Sequence, residues 1–178
     1  STLGTAIFFK MTSGWAQVRG RSELDARIEH AFEQIQRDVN EVISQELSGE
    51  PLRGILVDEK SELFFDRVLP RDRVVLPVRA AAKKDDIDVA GLVMYRIDTS
   101  QEPAQLVRTT GEFGAAEPSG NPAVMAAGVL RFTIEYAPAD GSGEWVRGWD
   151  RAQLPAALRV SMTLLDPDQP SEIGRAHV

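Results

Sequence analysis

The sequence predicts an α+β fold: one long N-terminal helix packed on antiparallel β-sheet. Three observations carry this. Apolar residues at 24, 28, 31, 32, 35, 39, 42 and 43 fall on a stripe about 100° wide when spaced at 100° per residue, the pattern of an amphipathic helix. After Glu50-Pro51 the pattern changes to short runs rich in Val, Ile and Leu, separated by charged or Pro-containing breaks. Neither an internal repeat nor a second domain is visible, and a helix followed by about seven short strands is the α+β arrangement.

The helix carries Glu29, Glu33, Arg37 and Glu41 opposite its apolar stripe. Two starting points fit. Ser22 followed by Asp25 is a capping pattern. Alternatively the helix runs on from the apolar stub Leu3-Gly-Thr-Ala-Ile-Phe-Phe9, through Trp15 and Val18, to Ser48-Gly49. Gly14 and Gly20 each cost such a helix about 1 kcal/mol relative to Ala. Proline at 51 disfavours a helical residue before it and ends the run.

Strands are expected at Leu52–Val57, Val74–Val78, Leu92–Ile97, Leu106–Thr110, Val129–Tyr136, Glu144–Gly148 and Ala157–Leu165. Ser61–Val68 reads as a helical turn or a strand, and Ala80–Val89 as a charged loop. Glu112–Pro122 is a Gly/Pro/Ser loop of the surface kind.

Composition narrows the function. At 178 residues, 43% apolar and 26% charged, the chain is globular and long enough for one domain with a sizeable core. A net charge of -7 and the absence of a Lys/Arg cluster argue against nucleic acid; Arg71 and Arg73 are matched by Asp66 and Asp72. With no cysteine, disulfides, thiolate metal sites and Cys nucleophiles are excluded. The stub at residues 3–9 supplies fewer than half of the roughly 20 apolar residues that span a bilayer, so it makes sense as the end of a membrane helix. Glu172–Val178 resembles translated sequencing adapter and is set aside from fold reasoning, leaving His177 without functional weight. The expected organisation is therefore a membrane-proximal helix end at 1–19, a head at 20–171 and a non-native tail at 172–178.

Candidate chemistry is sparse. His30 lies beside Glu29 and Glu33, but a metal site needs three or four convergent ligands; it reads as a structural histidine. Asp85-Asp86-Ile-Asp88 lacks the spacing of an EF-hand and has Lys83-Lys84 beside it, so it reads as a solvated loop. Asp140-Gly-Ser-Gly-Glu144 is a hairpin turn. Gly111-Glu-Phe-Gly114 lacks the lysine and length of a phosphate loop. No Ser-His-Asp set and no pair of carboxylates in opposed environments is visible, so no enzyme, cofactor or metal is expected. Trp15 lies about 180° from the centre of the helix stripe, as an interfacial anchor or a subunit contact. Trp145 and Trp149, four apart, would share one face of a strand, either in the core or at an aromatic interface.

Taken in order along the chain, these pieces resemble the type IV pilin and pseudopilin superfamily, and most closely the J-type minor pseudopilin of type II secretion. The resemblance rests on Ala31-Phe-Glu-Gln-Ile-Gln-Arg-Asp-Val39, on Leu92-Val-Met-Tyr-Arg-Ile97 with Leu106-Val-Arg108, and on a C-terminal set. That set comprises Gly128-Val-Leu130, Phe132, Tyr136, the two tryptophans and Leu154-Pro155 before Leu158-Arg-Val160. The resemblance implies methylation and processing by prepilin peptidase, but the basic leader and near-terminal glutamate that these involve are expected upstream of Ser1, so neither is carried onto a residue of this sequence. Lys10, Arg19 and Arg21 run against the positive-inside preference.

The resemblance implies a pilin-like, single-pass inner-membrane protein with a periplasmic head and no cofactor. Leu3, Ala6, Ile7, Phe8 and Phe9 would lie in the membrane; Trp15, Val18, Leu24, Ile28, Trp145 and Trp149 would be available for subunit contact. Implied partners are the other minor pseudopilins, the major pseudopilin, the inner membrane and secreted proteins. The implied role is at the tip of the pseudopilus, driving export through the outer membrane. A type IV pilus minor pilin and a soluble α+β binding module are the alternatives.

Overall fold

Strands far outnumber helices in the computed structural model, which describes residues 6–11, 21–61 and 67–165. Eleven strands and two helices make up the described residues. This corrects the expected fold: the described residues are mostly antiparallel β-sheet, and among them no long N-terminal helix is packed on a sheet.

The correction has two physical sources. Ala6–Met11 forms strand β1, paired in parallel with Ala157–Met162. A short apolar run carries no periodicity that separates helix from strand, and Ile-Phe-Phe favours the strand once a partner edge exists. Helix α1 spans Arg21–Asn40 and stops short of Ser48 because the strand at Arg73–Lys84 captures the chain that follows. Arg79 N donates to Glu41 O (3.0 Å), Ile43 N donates to Pro77 O (2.9 Å), and Val42 bridges Val78. Each pairing satisfies a backbone group that the helix would otherwise have used. A short α2, Gln45–Ser48, follows and is closed by Gly49 at φ 75°, a left-handed position that glycine fills without strain.

The remaining strands are β2 (Arg53–Ile55), β3 (Asp58–Ser61), β4 (Arg67–Pro70), β5 (Arg73–Lys84), β6 (Ile87–Asp98), β7 (Gln105–Gly111), β8 (Ala123–Ala127), β9 (Val129–Ala137), β10 (Val146–Arg147) and β11 (Ala157–Leu164). They form a five-stranded sheet in the order β2-β5-β6-β7-β8, a four-stranded sheet in the order β1-β11-β9-β10, and the β3-β4 ribbon. Every pairing but β1-β11 is antiparallel.

The expected charged loop at Ala80–Val89 is instead the tip of the β5-β6 hairpin. Asp85 and Asp86 take φ 51° and 61°, the two left-handed central positions of the tight turn that suits strand twist. Around it, residues 82 to 90 are all exposed. Ser61 and Val68 fall in β3 and β4, whereas β8 has no counterpart among the expected strands.

One apolar core lies between the two large sheets and α1. The four-stranded sheet gives it Phe132, Ile134, Tyr136, Leu158, Val160 and Met162, on alternate positions of β9 and β11. The five-stranded sheet gives Val74, Leu76, Val93, Tyr95, Ile97 and Leu106, and α1 gives Ile28, Ala31, Phe32, Ile35 and Val39. Period-two burial on the strands and the helical stripe point to one centre. The sheets are stitched at two further places: Gly54 bridges Trp149 through N–H···O bonds of 2.7 and 2.8 Å, and Asp72 N donates to Phe132 O (2.8 Å).

Candidate functional site

Asp38 and Asp72 are almost wholly buried, each 3% exposed. A buried carboxylate is costly unless paired and hydrogen-bonded, and each is the hub of a network joining distant elements.

Asp38 occupies the last turn of α1, inside the apolar stripe. Arg108 on β7 grips it in a fork: Nε donates to Oδ2 (2.7 Å) and a terminal nitrogen to Oδ1 (2.9 Å). That terminal nitrogen also reaches Ala81 O on β5 (3.1 Å). The Tyr95 hydroxyl on β6 donates to Oδ2, and Gln34 one turn back donates to Oδ1 (3.3 Å). Burial first, then the Asp38 carboxylate, holds the Tyr95 phenol far above its ordinary pKa of 10.0. Burial pulls the Arg108 guanidinium down, but the Asp38 hydrogen bonds and charge outweigh it and the net shift is upward. The cluster fixes α1 against three strands of one sheet.

Asp72, just before β5, does the same work at the other side of the core. It accepts from Val57 N (3.3 Å), from Ile134 N on β9 (3.2 Å), and from Arg147 on β10 through two nitrogens (3.2 and 2.6 Å). Arg147 also contacts Asp58 at 3.0 Å. Hydrogen bonding to Asp72 is the main cause that raises the Arg147 pKa. Tyr136 stands nearby, its hydroxyl buried and without a hydrogen-bond partner; burial, then the Asp72 charge, pushes its phenol upward.

The two tryptophans part company. Gly148 at φ 89° turns the chain after β10, so Trp149 goes into the core, 4% exposed. Its Nε1 donates to Gln153 O (3.0 Å), and its ring lies 5.7 Å from Tyr136 at 31°. Trp145 is half-buried on the outer face of the four-stranded sheet, with the Arg159 guanidinium 4.1 Å from its ring centroid. Arg159 is itself paired across the strands with Glu135 (3.3 Å). The one-face expectation fails because β10 covers only Val146–Arg147, too short to carry both rings.

Of the other residues singled out in the sequence, Ile28 is 2% exposed within the core, so like Trp149 it offers no surface to a neighbour. Leu24 lies in the first turn of α1, and Leu3, Trp15 and Val18 fall outside the described residues. Ala6, Ile7, Phe8 and Phe9 belong to a strand rather than a helix, and among the described residues no helix is long and apolar enough to cross a membrane. His30 is exposed on α1, and no group of three or more His, Cys, Asp or Glu is placed to hold a metal ion among the described residues.

Asp38, Tyr95 and Arg108 were visible in the sequence only as pieces of a resemblance, not as partners. A signal was present. Asp38 follows Ile35 by three and precedes Val42 by four, a charge inside the stripe; Arg108 alternates with buried Leu106.

The two networks hold distant elements of the fold together. A family model described as type II secretion system (T2SS), protein J matches residues 6–173, and the chain belongs to that family. It is thereby a type II secretion pseudopilin, a structural, envelope-associated component that assembles with other pseudopilins. No curated protein matches the chain.

Proposed function

We propose that this chain is a minor pseudopilin at the tip of the type II secretion pseudopilus, held at the inner membrane from its N-terminal side with its head in the periplasm. There it joins the other minor pseudopilins and the major pseudopilin, and the growing filament drives proteins through the outer-membrane channel. The observation that carries this reading is the protein J family match over residues 6–173. The architecture supports it: a head that transmits a push must not let its helix slide on its sheet, and the fork between Asp38 and Arg108 resists that movement.

The Trp145–Arg159 patch is the proposed contact with a neighbouring subunit, since Trp and Arg dominate interface energetics. The test replaces Trp145 with a photo-crosslinking residue in the full-length protein inside its own secretion system. Crosslinks to another minor pseudopilin, together with loss of secretion when the gene is deleted, are the expected result. Normal secretion in the deletion strain would overturn the role.

A further inference from the structure

On the side of the five-stranded sheet turned away from α1, Val75, Leu92 and Met94 form a small separate core with Phe113. Side chains two apart on a strand share a face, so Arg73 lies on this face with Val75, and Arg96 with Met94. Val75 pairs with Met94 and Met94 with Thr109, which places the two arginines side by side one step along the ladder. Like charges in that position repel. Both line a cavity of about 420 Å³, with Thr109 on its floor and Glu117 and Ser119 on the covering loop.

The cations are incompletely paired. Arg73 uses a terminal nitrogen on Glu117 (3.0 Å), while its Nε is buried without a hydrogen-bond partner. Arg96 comes within only 3.9 Å of Asp98, beyond hydrogen-bond reach. Among the lining residues two guanidinium groups face one carboxylate, that of Glu117, with the Asp98 carboxylate beside Arg96 as the second anion nearby. Thr109 is 4% exposed, so a hydroxyl-bearing side chain forms the base of the pocket. Its volume lies within the range that holds small ligands or a side chain.

We propose that this pocket is a carboxylate-binding site, with Arg73 and Arg96 forming the fork that a planar carboxylate fits and Glu117 acting as an internal competitor. The carboxylate comes either from an acidic side chain of a neighbouring protein or from a free small molecule. The site does not depend on the pseudopilin reading, because it rests on this face alone.

The test is a nuclear magnetic resonance titration of the ¹⁵N-labelled full chain with three probes: succinate, a capped peptide with one central glutamate, and the same peptide with glutamine. Saturable shifts of the Arg73 and Arg96 Nε–H signals and of the Thr109, Ser119 and Gly120 amides are expected, with Kd on the order of 1 mM. Tighter binding of the glutamate peptide than of succinate assigns the source to a protein; the reverse assigns it to a small molecule. Arg96→Gln is expected to weaken binding about tenfold, the loss of one charge-assisted contact, and Glu117→Gln to strengthen it. Absence of saturation, equal shifts with the glutamine peptide or with chloride, or unchanged affinity in both variants would overturn the proposal.

Discussion

Replacing Asp38 with asparagine keeps the shape of the side chain and removes its charge. Arg108 is then left in a site where its side chain is 15% exposed, holding only an amide oxygen and the Ala81 carbonyl at 3.1 Å. Removing one partner of a buried pair costs about 3–5 kcal/mol, since the other charge stays buried and uncompensated. Because Arg108 keeps some access to water and one carbonyl, the low end applies, about 3 kcal/mol. For a chain of this length 1 kcal/mol moves Tm by about 2–4 °C, so a fall of roughly 6–12 °C is expected. The assay is urea and thermal unfolding followed by circular dichroism and tryptophan fluorescence. A second arm removes both charges: Asp38→Leu with Arg108→Met is expected to be more stable than Asp38→Asn alone, because no orphaned cation remains. A loss below about 1 kcal/mol for Asp38→Asn, or a double variant no better than the single, would refute the view that this network fixes α1 to the sheet.

Two further outcomes follow from the core. The chain has two tyrosines, and both phenols are held above the ordinary value of 10.0 in the folded state. Their contribution is fully present below pH 10 and is lost as pH rises above it, because the unfolded chain releases protons that the folded one keeps. The slope is about 1.4 kcal/mol per pH unit for each tyrosine, and phenolate absorbance should appear only with unfolding; a phenolate signal at pH 10 on an intact fold would contradict the burial of these groups. Gly54→Ala places a methyl on the Tyr136 ring and hydroxyl, an overpacking expected to cost about 1–3 kcal/mol or more, and denaturant unfolding at wild-type stability would contradict the contact.

Much of the core could be read from the chain. Burial at alternate positions from Leu130 to Tyr136 and from Leu158 to Leu164 agrees with the strands expected there, and the stripe from Ile28 to Val39 is the face that α1 buries. Family membership was legible too: the resemblance rested on the segments that hold Asp38, Tyr95 and Arg108 and on the C-terminal strands, and the protein J family model matches residues 6–173. These are properties of local spacing, and local spacing is what a sequence displays.

Tertiary structure alone decided what depends on a distant partner. The apolar run Ala6–Met11 becomes a strand because the β11 edge takes it, although its composition suits a helix equally well. Helix α1 ends at Asn40 because β5 offers Glu41 and Ile43 backbone partners. Charged residues from Lys83 to Asp88 extend a hairpin rather than a loop, since a two-residue turn lets the ladder continue into solvent. Asp38 meets Arg108 across 70 residues, and Asp72 meets Arg147 across 75. In each case the chain supplies the groups, and the free energy of pairing a buried backbone or charge with a remote partner selects the structure.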